Sequence, residues 1–148
     1  MELTVYLAGE IHSGWREEIM SGIETAGLPV EVLAPVTDHG ASDDVGVKIL
    51  GDEDRAFWKD HKGASINAMR TRTAIERSDI VVARFGDKYR QWNAAFDAGQ
   101  AVALGRHLIV MHDESLTHAL KEVDAAAMAV VETPAQVVEI LRYVTLQK

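Results

Sequence analysis

The chain has no cysteine, which excludes disulfide staples, thiolate nucleophiles and Cys-ligated zinc or iron–sulfur centres. Proline occurs only three times, at 29, 35 and 134, each beside the edge of a periodic segment. No apolar run approaches the roughly 20 residues of a membrane span, so no membrane partner is expected. Positive charge is also short, 15 Lys+Arg against 23 Asp+Glu for a net charge of −8. Grip on a nucleic-acid backbone comes from phosphate neutralisation, so a nucleic-acid polymer is not an expected partner. Leu3 to Ala8 reads as a strand with no basic segment before it, so no secretory leader is expected. What remains, 148 residues at 47% hydrophobic, is the content of a single domain spanning 1–148, expected to be soluble and cytoplasmic.

Strand and helix patterns alternate along the chain. Leu3–Ala8 is a first strand stopped by Gly9. Trp15, Ile19, Ile23 and Ala26 recur at helical spacing until Gly27 and Pro29 end the helix. Val30–Leu33 is a second strand, closed by Pro35. A stretch dense in Asp, Gly and His follows from about Val36 to Lys62, then a helix from about Ser65 to Arg77. The continuous run Ile80-Val81-Val82-Ala83 suits a strand buried on both faces of a parallel sheet. A helix from about Asn93 to Leu104, a strand at His107–Met111, a helix at Ser115–Val123 and a strand at Met128–Val131 complete the alternation. Thr133-Pro134-Ala135-Gln136 is a capping box with Pro at the first helical position, opening a final helix. Such βα alternation predicts a mostly parallel, doubly wound five-stranded sheet with helices on both faces. Its ligand crevice lies beyond the carboxyl ends of the strands.

The segments facing that crevice hold the chemistry. Gly9-Glu10-Ile11-His12-Ser13-Gly14 lacks the glycine pattern of a dinucleotide site. Its backbone N–H groups can still meet an anion or a sugar. Ser13 reads as the N-cap of the next helix, and His12 as either an exposed loop residue or a ligand contact. In the predicted helix around Asn93 to Leu104, Trp92, Ala95, Phe96, Gly99, Val102 and Ala103 form an apolar stripe, while Asn93, Asp97 and Gln100 share another face. Gly99 in mid-helix suggests a close approach by a strand or ligand. Asp97, near the helix start, is either a carboxylate placed for the helix dipole or an ionised nucleophile at the crevice mouth. Arg70, sharing a face with Asn67, is either a phosphate clamp or a solvated flank. The acids of the 36–62 stretch match no metal-ligand spacing, so no metal is expected. Phe57 and Trp58 either stack on a base or pin this stretch to the core, and Trp92 carries the same alternatives beside Asn93.

Val5-Tyr6-Leu7-Ala8-Gly9, Ser78-Asp79-Ile80-Val81-Val82-Ala83 and Phe96-Asp97-Ala98-Gly99-Gln100-Ala101, followed by Leu104-Gly105-Arg106, resemble the nucleoside 2-deoxyribosyltransferase superfamily. More closely, the whole chain looks like its YtoQ branch. The resemblance implies a flavodoxin-like fold with strand order 2-1-3-4-5. It also implies cleavage or transfer at the N-glycosidic bond of a (deoxy)nucleoside or its 5′-monophosphate. Asp97 matches the nucleophilic Glu of the family's Glu-Leu-Gly-x-Ala motif, one methylene shorter. Tyr6 matches the first-strand Tyr that would hydrogen-bond and orient that carboxylate. Thr71 stands where the family keeps an acid, so proton delivery to the leaving base falls to another group, for which Asp87 is the candidate. Tyr6, Gly9, Asp87, Asn93 and Asp97 are then expected to line one pocket. No metal or organic cofactor is implied, and a homo-oligomer is. The alternative reading is a non-catalytic nucleotide or nucleoside-derivative sensor on the same fold.

Overall fold

A computed structural model describes residues 1–88 and 91–146. Five strands, β1 (Leu3–Gly9), β2 (Val30–Leu33), β3 (Ile80–Arg84), β4 (His107–Met111) and β5 (Ala129–Val131), form one sheet. Every pairing is parallel and the order is β2-β1-β3-β4-β5, as expected from the alternation and the resemblance. The helices are α1 (Trp15–Thr25), α2 (His39–Asp43), α3 (Val45–Leu50), α4 (Ala56–Arg77), α5 (Trp92–Ala103), α6 (Thr117–Ala126) and α7 (Pro134–Thr145). A single 3-10 turn at Glu114–Leu116 precedes α6.

Two-sided burial explains the unbroken apolar runs of the central strands. Leu7, Val82 and Met111 pack under α1 and α7 with Ile19, Val137 and Leu141. On the opposite face Tyr6, Val81 and Val110 meet Ile75 of α4 and Ala98 of α5. Each fully buried aliphatic side chain contributes roughly 1.5–3 kcal/mol, so the strands are held from both sides. The capping box forms as read. The Thr133 hydroxyl accepts from the Gln136 amide at 3.3 Å, and the Gln136 side chain accepts from the Thr133 amide at 3.0 Å.

The acidic stretch is more ordered than its composition suggests. It holds the short helices α2 and α3, and α4 begins at Ala56 rather than near Ser65. The large apolar residues of these turns, Ile49, Leu50, Phe57 and Trp58, are exposed, and tertiary contacts hold the turns instead. Lys59 pairs with Asp44 at 2.8 Å and Lys62 with Glu53 at 2.6 Å. Gly46 lies against Gly63 so closely that a Cβ there would fall 2.5 Å from the Gly63 nitrogen. At 22 residues, α4 is about 33 Å long, nearly twice the length of α5. Its last turn leads into β3 at the amino edge of the sheet. Its first half therefore overhangs the carboxyl edge as a wall. No helix among the described residues is long and apolar enough to cross a membrane.

Candidate active site

The strand order reverses between β1 and β3, so the connections leaving their carboxyl ends diverge and open a crevice. A cleft of about 610 Å³ occupies it, a size suited to a small organic ligand. The β1–α1 loop, α2, α4 and α5 supply its walls.

Gly9 starts the first wall. Its φ of +105° and a Cβ position only 2.2 Å from the Arg84 carbonyl oxygen leave no residue but glycine there. The chain then turns so that Glu10 is buried at the crevice base. The Glu10 carboxylate accepts from the His12 backbone N–H and from the Ser13 hydroxyl, the latter at 2.5 Å. Burial acts to raise its pKa, but these donors outweigh it and hold the carboxyl below the usual range. Ser13 is thus not the cap of α1, whose N-cap is Gly14 without a side-chain bond. Arg16, also buried, donates to the carbonyls of Leu7 (3.0 Å), Gly9 (2.9 Å) and Glu10 (2.6 Å), which locks the loop to the end of β1.

On the β3–α5 side, Gln91 sits in the left-handed region at φ 43°. Its side chain accepts from the Gly86 amide at 2.8 Å and donates to the Gly86 and Lys88 carbonyls at 3.2 and 2.6 Å. That closes the turn and aims α5. The helix buries Ala94, Ala98 and Ala101 against the sheet, whereas Trp92, Phe96 and Val102 of the expected apolar stripe are exposed. Three alanines let the helix axis approach the strands closely, and the larger side chains are left outside. A Cβ at Gly99 would meet nothing within 4 Å, so that glycine accommodates no neighbour.

The polar face of α5 turns into the cleft, where Asn93, Asp97 and Gln100 all line it. Because α5 starts at Trp92, Asp97 lies in the second turn, beyond most of the dipole's reach. Burial pushes its carboxyl up to about 6 from an ordinary 3.8. Tyr6 faces it from β1, buried and with its phenol pKa raised by that burial. Thr71 lies beside the Tyr6 hydroxyl and acts to lower its pKa, the Asp97 charge acts through space to raise it, and the direct Tyr6–Asp97 hydrogen bond that the resemblance implies is not among those formed by the described residues. Thr71 of α4 lines the same cleft. The position where the family keeps an acid is therefore in the site, occupied here by a hydroxyl.

Tyr6, Gly9, Asn93 and Asp97 line one cleft, with His12 at its rim. Asp87 is exposed and lies outside the lining, in contrast to the expected five-residue pocket. Arg70 is exposed and off the lining, and donates to the Ala34 carbonyl at 3.4 Å. Trp92 is exposed and off it as well. Phe57 and Trp58 pin nothing to the core. They are exposed and pack on each other at 4.9 Å between ring centroids. The overhanging wall of α4 was not legible in sequence, although Gly63, Ala64, Asn67 and Ala68 bring a narrow, mostly small-residue face to the cleft. Among the described residues no group of three or more His, Asp or Glu converges as metal ligands do.

Fold and site together define a doubly wound α/β domain with a partly buried carboxylate at its switch-point crevice. The sequence model of the nucleoside 2-deoxyribosyltransferase YtoQ family matches residues 6–145, and the chain belongs to that family. It is 46% identical over 143 residues to the uncharacterized protein YtoQ of Bacillus subtilis (strain 168), spanning 97% of each chain. Two solved structures share the fold at 15% identity. One is the 2-deoxyribosyltransferase of Bacillus psychrosaccharolyticus, at a TM-score of 0.55 with 90% of this chain and 89% of that one covered. The other is the Clostridium botulinum CMP N-glycosidase BcmB, at 0.50 with 95% and 98% covered.

Proposed function

We propose that the protein cleaves or transfers at the N-glycosidic bond of a (deoxy)nucleoside, with Asp97 as the nucleophile. The observation that carries this reading is a partly buried carboxylate on the cleft face of α5, facing Tyr6 across a cleft of nucleoside size. Membership of the family and the activities named for the two fold relatives support it.

In the first step an Asp97 oxygen attacks the anomeric carbon and forms a glycosyl ester. The C–N bond breaks, its electron pair stays on the base nitrogen, and that nitrogen takes up a proton. In the second step water or a second base attacks the same carbon, frees the carboxylate and gives up a proton, with net retention. Tyr6, with Thr71 beside its hydroxyl, places a phenol within electrostatic reach of the carboxylate. Asp87, exposed outside the cleft, is not given the proton-delivery role. Solvent reaching the open cleft supplies that proton.

A second reading, a nucleoside-derivative sensor on the same cleft, is favoured by one observation: Thr71 stands where the family acid would be and engages Tyr6. Incubating the purified protein with a panel of nucleosides and deoxynucleosides, and scanning for free base, separates the two. Base release by wild type supports the enzyme. An inert wild type that binds nucleosides, beside a Thr71→Asp variant that releases base, supports the sensor. Light scattering checks the homo-oligomer that the resemblance implies.

A further inference from the structure

Breaking an N-glycosidic bond leaves an electron pair on the base, and that pair needs a proton as it forms. In a displacement by a carboxylate, the entering oxygen and the departing nitrogen stand on opposite sides of the anomeric carbon. The proton must therefore arrive from a wall other than α5, which carries Asp97. Tyr6 lies within reach of the Asp97 charge, on the attacking side, and burial makes its phenol hold its proton more firmly. Glu10 is kept ionised by the His12 amide and the Ser13 hydroxyl. Asp43 and Asp60 are exposed on α2 and α4, and an exposed aspartate has no proton to give at neutral pH.

Among the described residues His12 is the only imidazole that lines the cleft. It stands half-buried on the β1–α1 loop, on a different wall from Asp97. Histidine is the side chain that exchanges a proton with solvent near neutrality. The loop that carries it is fixed. The His12 amide donates to the Glu10 carboxylate, and Arg16 donates to the Gly9 and Glu10 carbonyls at 2.9 and 2.6 Å. The His12 and Glu10 charges attract one another, and Arg84 of β3 and Arg16 of α1 face the same carboxylate. Asp43, Asp60 and Asp97 are the other acids of the lining. Lys59 faces the first two, and Arg70 acts on Tyr6.

We propose that His12 is the catalytic acid for the departing base, contacting it across the cleft from Asp97. This rests on the N-glycosidic reading above and adds to it the route by which the solvent proton reaches the base. The imidazolium gives a ring proton to the base as the C–N bond breaks and the Asp97 ester forms. It is left as neutral imidazole. In the second step the water or second base that attacks the ester gives its proton to that imidazole, which restores the acid.

The test pairs deoxyguanosine with N7-methyl-deoxyguanosine, whose base is already cationic and departs neutral without a proton. For each substrate kcat/KM reports the bond-breaking step. His12→Gln should lower it about a hundredfold on deoxyguanosine and less than about threefold on the methylated substrate. On deoxyguanosine, wild-type kcat/KM should fall on the alkaline side of its optimum as the imidazolium loses its proton. His12→Gln should lack that fall and keep the acid-side rise that Asp97 sets. Imidazole added to His12→Ala should restore base release from deoxyguanosine, a rescue that a merely structural residue does not give. Equal losses on the two substrates, or full activity of folded His12→Gln on deoxyguanosine, overturn the proposal and leave the N-glycosidic reading standing. Failure of wild type to release base from these two and from every nucleoside of the panel overturns both.

Discussion

The two faces of the sheet are built from different materials. Under α1 and α7 the strands meet large side chains, among them Trp15, Ile19, Ile23 and Leu141, and the layer is closed. Under α4 and α5 they meet Ala94, Ala98 and Ala101, with Tyr6 as a polar group in the packed layer. The first arrangement maximises apolar area removed from water. The second gives up area so that α5 approaches closely and delivers Asn93, Asp97 and Gln100 to the cleft. One face packs the larger side chains and the other holds a partly buried carboxylate at the cleft, and substitutions should separate the two.

The largest effect is expected at Asp97. Asp97→Asn keeps size and removes the charged nucleophile, so base release should fall by roughly three orders of magnitude or more. The same variant should be more heat-stable than wild type above pH 6. A folded variant with full activity would remove Asp97 from the mechanism. The closed face predicts the reverse pattern. Leu141 is fully buried, and Leu141→Ala should cost about 2–5 kcal/mol in denaturant titration. Turnover per folded molecule should stay at the wild-type level. A drop in turnover comparable to that of Asp97→Asn would mean that the two faces are not separable.

A pH series sharpens the same contrast. The folded-state pKa of Asp97 is raised by burial from 3.8 to about 6. Between those values the folded chain binds more protons than the unfolded one, so this group makes stability fall as pH rises. Its effect is absent below about pH 4 and complete above about pH 6, where the ionised carboxylate costs up to about 3 kcal/mol. Stability curves of wild type and Asp97→Asn should therefore converge at acid pH and separate at neutral pH. Activity should run the other way and rise through pH 6 as the nucleophile ionises. Curves that stay parallel over pH 4–7 would show that the carboxyl is not perturbed by its surroundings.

Legibility in the sequence follows the same division. The central strands and the α7 cap were readable because burial on two faces leaves unbroken apolar runs, and because Thr133 and Gln136 are a local signal. The face Asn93-Asp97-Gln100 was readable from helical spacing alone. The orientation of the rest of α5 was not. Hydrophobic size points to Trp92 and Phe96 as the buried side, whereas close packing on the sheet selects the alanines. The early start of α4 depends on ion pairs and on the Gly46–Gly63 approach, contacts distant in sequence that no local period encodes. The capture of the His12 amide by Glu10 is equally silent, since any acid in a loop has the same local pattern.

The smallest expected effect comes from Gly99, where the sequence suggested a close neighbour. The residue is exposed and a Cβ would meet nothing within 4 Å. Glycine inside a helix costs roughly 0.5–1 kcal/mol relative to alanine, because more backbone freedom is lost on folding. Gly99→Ala should therefore raise stability by about that amount. Base release should not change, since Gly99 is not among the residues lining the cleft. The measurement is a denaturant titration of wild type and variant beside an activity assay and light scattering. Loss of stability together with a smaller assembled mass would mean that the exposed face of α5, with Trp92, Phe96 and Val102, is covered in solution. The missing Cβ would then be a packing requirement after all, and the α5 side of the sheet would owe part of its stability to a contact outside the single chain.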